Sequence, residues 1–313
     1  MKVNSYYISA IVSFIIWGFL PFPLKGLESF ASSEILYFRI LFSIIALLFI
    51  SLVFRKKQLK ISLEAFKGSV SKEKKKFIYL TVVGGILLTI NWFSFIYIIN
   101  HINIQTGSFA YLICPILTAL LGFLLLKETL SKNQWLAIIL SIVSCILIGS
   151  VSLPNLALSL VIALSYAFYI ITQRLLKKYD KILLLTMQLF ISILIVGPFY
   201  EFFIETEKIL FDAHFFLLIL LISCCFTVLP LFLNLFALKE LPSGVIGILM
   251  YINPILNFII AFVYFQEKTT LLQVFAYFLI LLSIIMYNFK FSKWKLSTNS
   301  QLKLETIKTI NRK

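Results

Sequence analysis

Long apolar runs separated by short polar stretches dominate this chain. Ten runs are apolar around their whole circumference: about 6–24, 35–54, 77–100, 104–126, 133–150, 154–173, 182–204, 214–236, 243–264 and 270–289. A helix rises about 1.5 Å per residue, so about 20 apolar residues cover the roughly 30 Å hydrocarbon core of a bilayer. The pattern predicts an all-α membrane protein with ten transmembrane helices. A porin-like barrel is excluded, because its strands alternate apolar and polar positions. The first run follows Lys2 much as a signal peptide would. It ends in Pro21 and Pro23 rather than in a small-residue cleavage site, and is read as a retained span. The longest pieces outside the runs are the 55–76 loop and the tail from Lys290. Neither is long enough to bury a core of its own.

Composition adds little to that picture. Hydrophobic residues make up 61% of the 313 positions and charged residues 13%, against about 25% charged in soluble domains. Cys114, Cys145, Cys224 and Cys225 all fall inside expected spans. None is paired at metal-ligand spacing, so they read as small apolar packing residues.

Charge changes the picture, because its placement sets an orientation. The net charge is +15, yet all but four of the 28 basic residues fall on one side of the predicted topology. They crowd the 55–76 loop, the turns after the fourth, sixth and eighth spans, and the tail. The exceptions are Lys25, Arg39, Lys208 and Lys268. Acids favour the poorer side, with Glu28, Glu34, Glu201, Glu205, Glu207, Asp212 and Glu267. Basic residues flanking spans are retained in the cytoplasm. Ten spans then place both termini there, in a bacterial inner membrane. The basic loops read as orientation signals and contacts for anionic lipid, not as a nucleic-acid surface.

The chain also repeats itself. An offset of 139 lays Pro115 on Pro254, Glu128 on Glu267 and Gln134 on Gln273, and carries spans three to five onto eight to ten. The halves are therefore residues 1–150, which include the 55–76 loop, and 151–290, followed by a basic tail at 291–313. Each half has five spans, an odd number, so the second enters the membrane from the opposite side. Two inverted five-helix repeats are a sequence signature of secondary transporters, whose substrate site lies near the midplane between the repeats.

Several stretches carry a family resemblance. They are Trp17-Gly18, Arg39, Gly84-Gly85, Asn91-Trp92, Ser108 to Tyr111 leading to Pro115, Gln134-Trp135, Val228 to Pro230, and Tyr251 to Pro254 with Glu267-Lys268. On these the chain resembles the EamA proteins of the drug/metabolite transporter superfamily, and more narrowly the RarD group. The resemblance covers nearly all of the chain except the 55–76 loop and the tail. It implies ten spans in two five-helix repeats, a Pro inside the fourth helix of each, and a Glu shortly before the fifth. The sequence departs from the family at Cys114, where Asn is usual before the proline, and at Thr106, where an acid is usual.

No Gly-rich sequence ending in Gly-Lys-Ser/Thr is present, so nothing points to ATP hydrolysis. His101 and His214 stand at span ends without clustered carboxylates, so neither a metal site nor a catalytic constellation is expected. No cofactor is expected either. Polar residues inside spans are costly and face the bundle interior. Those singled out for a substrate pathway are Trp17, Arg39, Asn91, Trp92, Tyr111, Tyr166, Tyr169, Asn234, Tyr251 and Asn253. Asn91 and Asn234 are also suited to hydrogen bonds between helices. Pro115 and Pro254 each free a backbone carbonyl near mid-membrane and are expected to kink their helices. Glu128 and Glu267, the repeat-motif acids, are expected to favour the positive end of the helix that follows each. Arg39 is the one ionisable group well inside a span. It could reach the interface, pair with Glu34 or Glu28, or meet an anionic substrate group.

The function expected is secondary transport of a small organic metabolite or drug-like solute by alternating access, as exporter or exchanger. A lipid flippase or scramblase is the alternative, and an enzyme is not expected. The partners expected are a small-molecule substrate and membrane lipid, with no nucleic acid; a homodimer is allowed.

Overall fold

The computed structural model describes residues 2–102, 104–148, 153–199, 212–264 and 270–288. Among these every regular element is helical. The first repeat holds α1 (Lys2–Gly18), α2 (Pro21–Lys25), α3 (Ser32–Phe49), α4 (Lys56–Gly68), α5 (Ser71–His101), α6 (Ile104–Leu126) and α7 (Lys132–Ile148). The second holds α8 (Leu153–Leu175), α9 (Lys181–Val196), α10 (Ala213–Ser223), α11 (Leu229–Ala237), α12 (Ser243–Leu249), α13 (Ile252–Val263) and α14 (Leu271–Asn288). Eight stretches are long and apolar enough to cross a membrane, and α7 and α9 supply two shorter apolar helices. The fold is the expected ten-span, two-repeat arrangement. Glu267 and the 291–313 tail lie outside the described residues.

Several expected spans are not single straight helices, and proline explains most of the departures. The first breaks at Phe19–Leu20, and Pro21 then starts α2, where its missing N–H costs nothing. The ninth breaks at Met250–Tyr251 between α12 and α13. Pro254 cannot donate to the carbonyl four residues back, which belongs to Met250. Pro115, by contrast, sits inside α6, which continues from Ile104 to Leu126. In the seventh span α9 ends at Val196, where Gly197 and Pro198 turn into a short 3₁₀ segment; positions 200–204 of that expected span lie outside the described residues. Part of the expected 55–76 loop is the helix α4. The membrane helix α5 also begins at Ser71, six residues earlier than the apolar run.

The helix contacts show how the repeats fit together. Helix α1 packs on α11 and α13, while its counterpart α8 packs on α5 and α6. Helix α3 packs on α10, and α9 on α5. Counterparts also meet directly, α3 with α9, α6 with α12, and α7 with α14. Exchanging the helices of each of these pairs for their counterparts returns another of the pairs or the same one, as a twofold axis between inverted repeats requires. Where the counterparts α6 and α12 meet, Gly247 lets them approach closely. A Cβ there would stand 2.8 Å from Thr118 Cβ and 3.2 Å from the Pro115 carbonyl, so no larger residue fits.

Apolar side chains cover the outside as well as the core. Ile45, Phe49, Ile139, Ile146, Leu217, Leu220, Phe275 and Phe278 are all exposed. Around a soluble protein such a surface would aggregate, whereas hydrocarbon accepts it. Of the cysteines read as small apolar packing residues, Cys114 and Cys145 are buried. Cys224 is only partly covered and Cys225 is exposed.

Candidate functional site

One proline organises much of the centre. Pro230 has no N–H to offer the carbonyl of Phe226, and the chain between α10 and α11 widens into a π-turn at Cys224–Val228. The Trp17 indole N–H donates to the freed Phe226 carbonyl at 3.0 Å. The same turn presents Thr227, whose hydroxyl oxygen accepts from Arg39 Nε at 2.7 Å. The guanidinium also lies over the Trp92 ring, 4.3 Å from its centroid, a cation–π contact that gains strength where water is scarce.

Arg39 stands seven residues into α3 and is 2% exposed. At about 1.5 Å per residue it lies about 10 Å along the helix. The side chain is turned inward and does not reach the interface. No ion pair among the described residues involves it. Glu34, one expected partner, accepts at its carboxylate from the Ala31 N–H at 3.0 Å, at the start of its own helix.

Around Arg39 lies a cavity enclosing about 540 Å³ of unfilled space, counting the part continuous with the outside. Trp17, Leu20, Pro21 and Arg39 line it, with Asn91, Trp92, Phe95 and Tyr111, all from the first repeat. Tyr166, Met250, Asn253 and Asn257 line it from the second. The structure thus brings together Trp17, Arg39, Asn91, Trp92, Tyr111, Tyr166 and Asn253 of the residues singled out by sequence. Tyr169, Asn234 and Tyr251 are buried but stand outside the lining. Tyr169 backs the wall, its ring 5.8 Å from that of Tyr166.

The lining is aromatic with a few amides. Tyr166 meets Trp17 and Tyr111 edge-on, with ring centroids 6.2 and 6.5 Å away. Asn91 donates from Nδ2 to the Ile162 carbonyl at 3.0 Å and to Ser165 Oγ at 3.4 Å, joining α5 to α8. Asn234 leaves Nδ2 without an acceptor among the described residues, so of the two asparagines expected to bond between helices only Asn91 does so through Nδ2. Asn257 donates to Asn253 Oδ1 at 2.9 Å, one helical turn away. Thr227, Met250 and Asn257 were not singled out by sequence. The Val228 to Pro230 stretch points to the first, but only once the π-turn it produces is known.

At the basic-loop end the repeats are tied together by polar contacts. Glu128 does not act on the helix that follows it. It accepts instead from the N–H groups of Ser243 at 2.9 Å and Gly244 at 3.2 Å, and from the Ser243 hydroxyl at 2.8 Å. These groups start α12, in the opposite repeat. The helix after Glu128 starts with its own reciprocal pair, Ser131 and Gln134. Arg174 Nε approaches Glu128 at 3.9 Å, and its Nη1 donates to the Leu238 carbonyl at 2.7 Å. Nearby, Arg55 grips Asp180 through two bonds of 3.3 and 2.9 Å, while Asp180 starts α9 by accepting from Ile182 and Leu183.

Comparison with known proteins decides the family. The profile of the EamA-like transporter family matches residues 4–150 and again residues 154–289. The chain belongs to the EamA-like transporter family. An uncharacterised transporter of Bacillus subtilis strain 168, YojE, is 30% identical over 293 residues, spanning 92% of this chain and 95% of its own. The RarD proteins of Salmonella typhi and Escherichia coli K12 are 30% and 28% identical over 266 residues, covering 82% and 83% of this chain and 85% of theirs. A crystal structure of a protein only 13% identical superimposes with a TM-score of 0.71, over 91% of this chain and 97% of that one, and shares the fold.

This EamA protein is a multi-pass inner-membrane transporter and not an enzyme. Within the EamA arrangement the cavity is walled by residues of both repeats.

Proposed function

We propose that the protein moves a small organic solute across the inner membrane by alternating access, as an exporter or exchanger. Residues 1–150 and 151–290 act as the two gating bodies, with 291–313 a basic tail. Both termini and the basic loops face the cytoplasm, following the charge asymmetry of the loops. The observation that carries this reading is a cavity walled by both repeats, with aromatic faces for an apolar body and amides and a guanidinium for polar groups. In this conformation the Glu128 and Arg174 contacts tie the repeats at the cytoplasmic end. Leu20 and Pro21, at the far end of the first span, belong to the cavity wall. The conformer is therefore read as closed inward.

The test has two parts. An untargeted comparison of metabolites inside and outside cells, between a deletion strain and one overproducing the protein, should reveal a solute that shifts compartment. Purified protein in liposomes should then move that solute down a solute or ion gradient without nucleotide. Strict dependence on added ATP, with only this chain present, overturns secondary transport.

A further inference from the structure

Resting on the transporter reading of the cavity, we infer that its substrate carries a single carboxylate, held by the outer fork of Arg39, on an apolar body that packs against aromatic faces. A guanidinium has five N–H donors and no acceptor. Here the Nε–H is committed to Thr227 at 2.7 Å, and Trp92 covers one face. No other side-chain hydrogen bond of Arg39 is formed among the described residues, so the two terminal nitrogens keep their donors for something else. Those two nitrogens form a planar fork whose spacing matches the two oxygens of a carboxylate.

The charge balance points the same way. A buried cation inside a membrane protein normally pairs with an anion or faces water. Arg39 is 2% exposed, has no ion pair, and stands in a wall that contains no acidic residue among the described ones. The cavity wall therefore carries one positive charge and no negative one. A cationic solute would meet repulsion with nothing to offset it, and a neutral one would leave the fork unsatisfied. A doubly charged phosphate would call for further cations, and the remaining polar lining is uncharged amide and hydroxyl. One charge and one fork suit a monocarboxylate. Trp17, Phe95, Tyr111 and Tyr166 supply the aromatic surface for its body.

Three probes with one ring and different heads test this on the purified full-length protein: phenylacetate, phenylacetamide and phenethylamine. Binding is read by calorimetry and by the shift in melting temperature, with no flux required. Phenylacetate should bind and stabilise the wild type, and the amide and amine should do so far less. Arg39→Lys, which keeps the charge but loses the fork, should bind phenylacetate at least about tenfold more weakly, and Arg39→Gln more weakly still. Should the variants fail to fold, the three probes on the wild type decide alone. Amide or amine binding as tight as the carboxylate overturns the inference. So does phenylacetate affinity unchanged in Arg39→Gln, or no phenylacetate binding at millimolar concentration. Failure here is separable from failure of the transport reading. A protein that moves only neutral or cationic solutes refutes the anion site and keeps transport. One that binds phenylacetate through Arg39 yet moves no solute refutes transport and keeps the site.

Discussion

Glu128, just past the end of α6, accepts hydrogen bonds from both the backbone N–H and the hydroxyl of Ser243, the first residue of α12, at 2.9 and 2.8 Å. The two residues belong to opposite repeats, so the contact is both a helix cap and a tie across the bundle. Removing the carboxylate strands two N–H groups at a partly buried helix start, at a cost of about 1–3 kcal/mol. Glu128→Ala should therefore lower the melting temperature and loosen the basic-loop end. In a cysteine-free background, Thr118→Cys, fully buried between α6 and α12, should label faster with a thiol reagent when Glu128 is also replaced. Unchanged melting and labelling would leave Glu128 with no closing role.

Pro230 is predicted to act at a distance through the π-turn. Pro230→Ala restores an N–H for the Phe226 carbonyl and removes the reason for the widened turn. Regular α-helix would swing Thr227 around the axis and deprive Arg39 of its acceptor, while Trp17 would compete for Phe226. Insertion should be normal, because no polar group is added. Transport should fall, together with tryptophan fluorescence changes reporting Trp17. Wild-type transport in Pro230→Ala would reduce the π-turn to a local irregularity.

Gln173 and Gln188 are buried, and all four of their side-chain amide atoms, like the Thr81 hydroxyl, lack a partner among the described residues. Each such group costs about 1–3 kcal/mol, whereas an apolar replacement of similar shape is close to neutral or stabilising. Both amides stand beside Gly84 of α5, and Gln173 directly precedes Arg174, so a path opening at the basic-loop end would wet them. The double substitution Gln173→Met with Gln188→Met should raise the melting temperature and slow transport. A fall in stability would instead mark the amides as structural.

Orientation has a direct test. Single cysteines at Lys67, in α4, and at Glu28, after α2, are placed in a cysteine-free background. A membrane-impermeant thiol reagent applied to intact cells should modify the Glu28→Cys protein and spare Lys67→Cys. The reverse pattern overturns the assignment of the basic loops to the cytoplasm, and modification of both undoes the span count.

The sequence by itself determined that this is a ten-span, two-repeat membrane protein, because runs of apolar residues and their length against the bilayer need no tertiary context. The same holds for its family, which the matches over residues 4–150 and 154–289 bear out. Broken helices were only half legible. Pro21, Pro198, Pro230 and Pro254 are visible in the sequence, but whether a proline breaks a helix depends on what receives the freed carbonyl. Pro230 yields a π-turn because Trp17 takes up the Phe226 carbonyl, while α6 continues through Pro115.

Only the tertiary structure decided which polar residues meet. Arg39 and Thr227 are separated by 188 positions, and Glu128 and Ser243 by 115. Periodicity places a residue on a helix face but carries no record of the helix opposite. Asn91 and Asn234 were both expected to bond between helices, yet Nδ2 of one has a carbonyl and a hydroxyl within reach and Nδ2 of the other has neither. Glu128 was expected to act on the next helix because that helix is near in sequence. The positive helix end that reached it first lies across the repeat boundary, where packing of α6 against α12 brings Ser243 alongside.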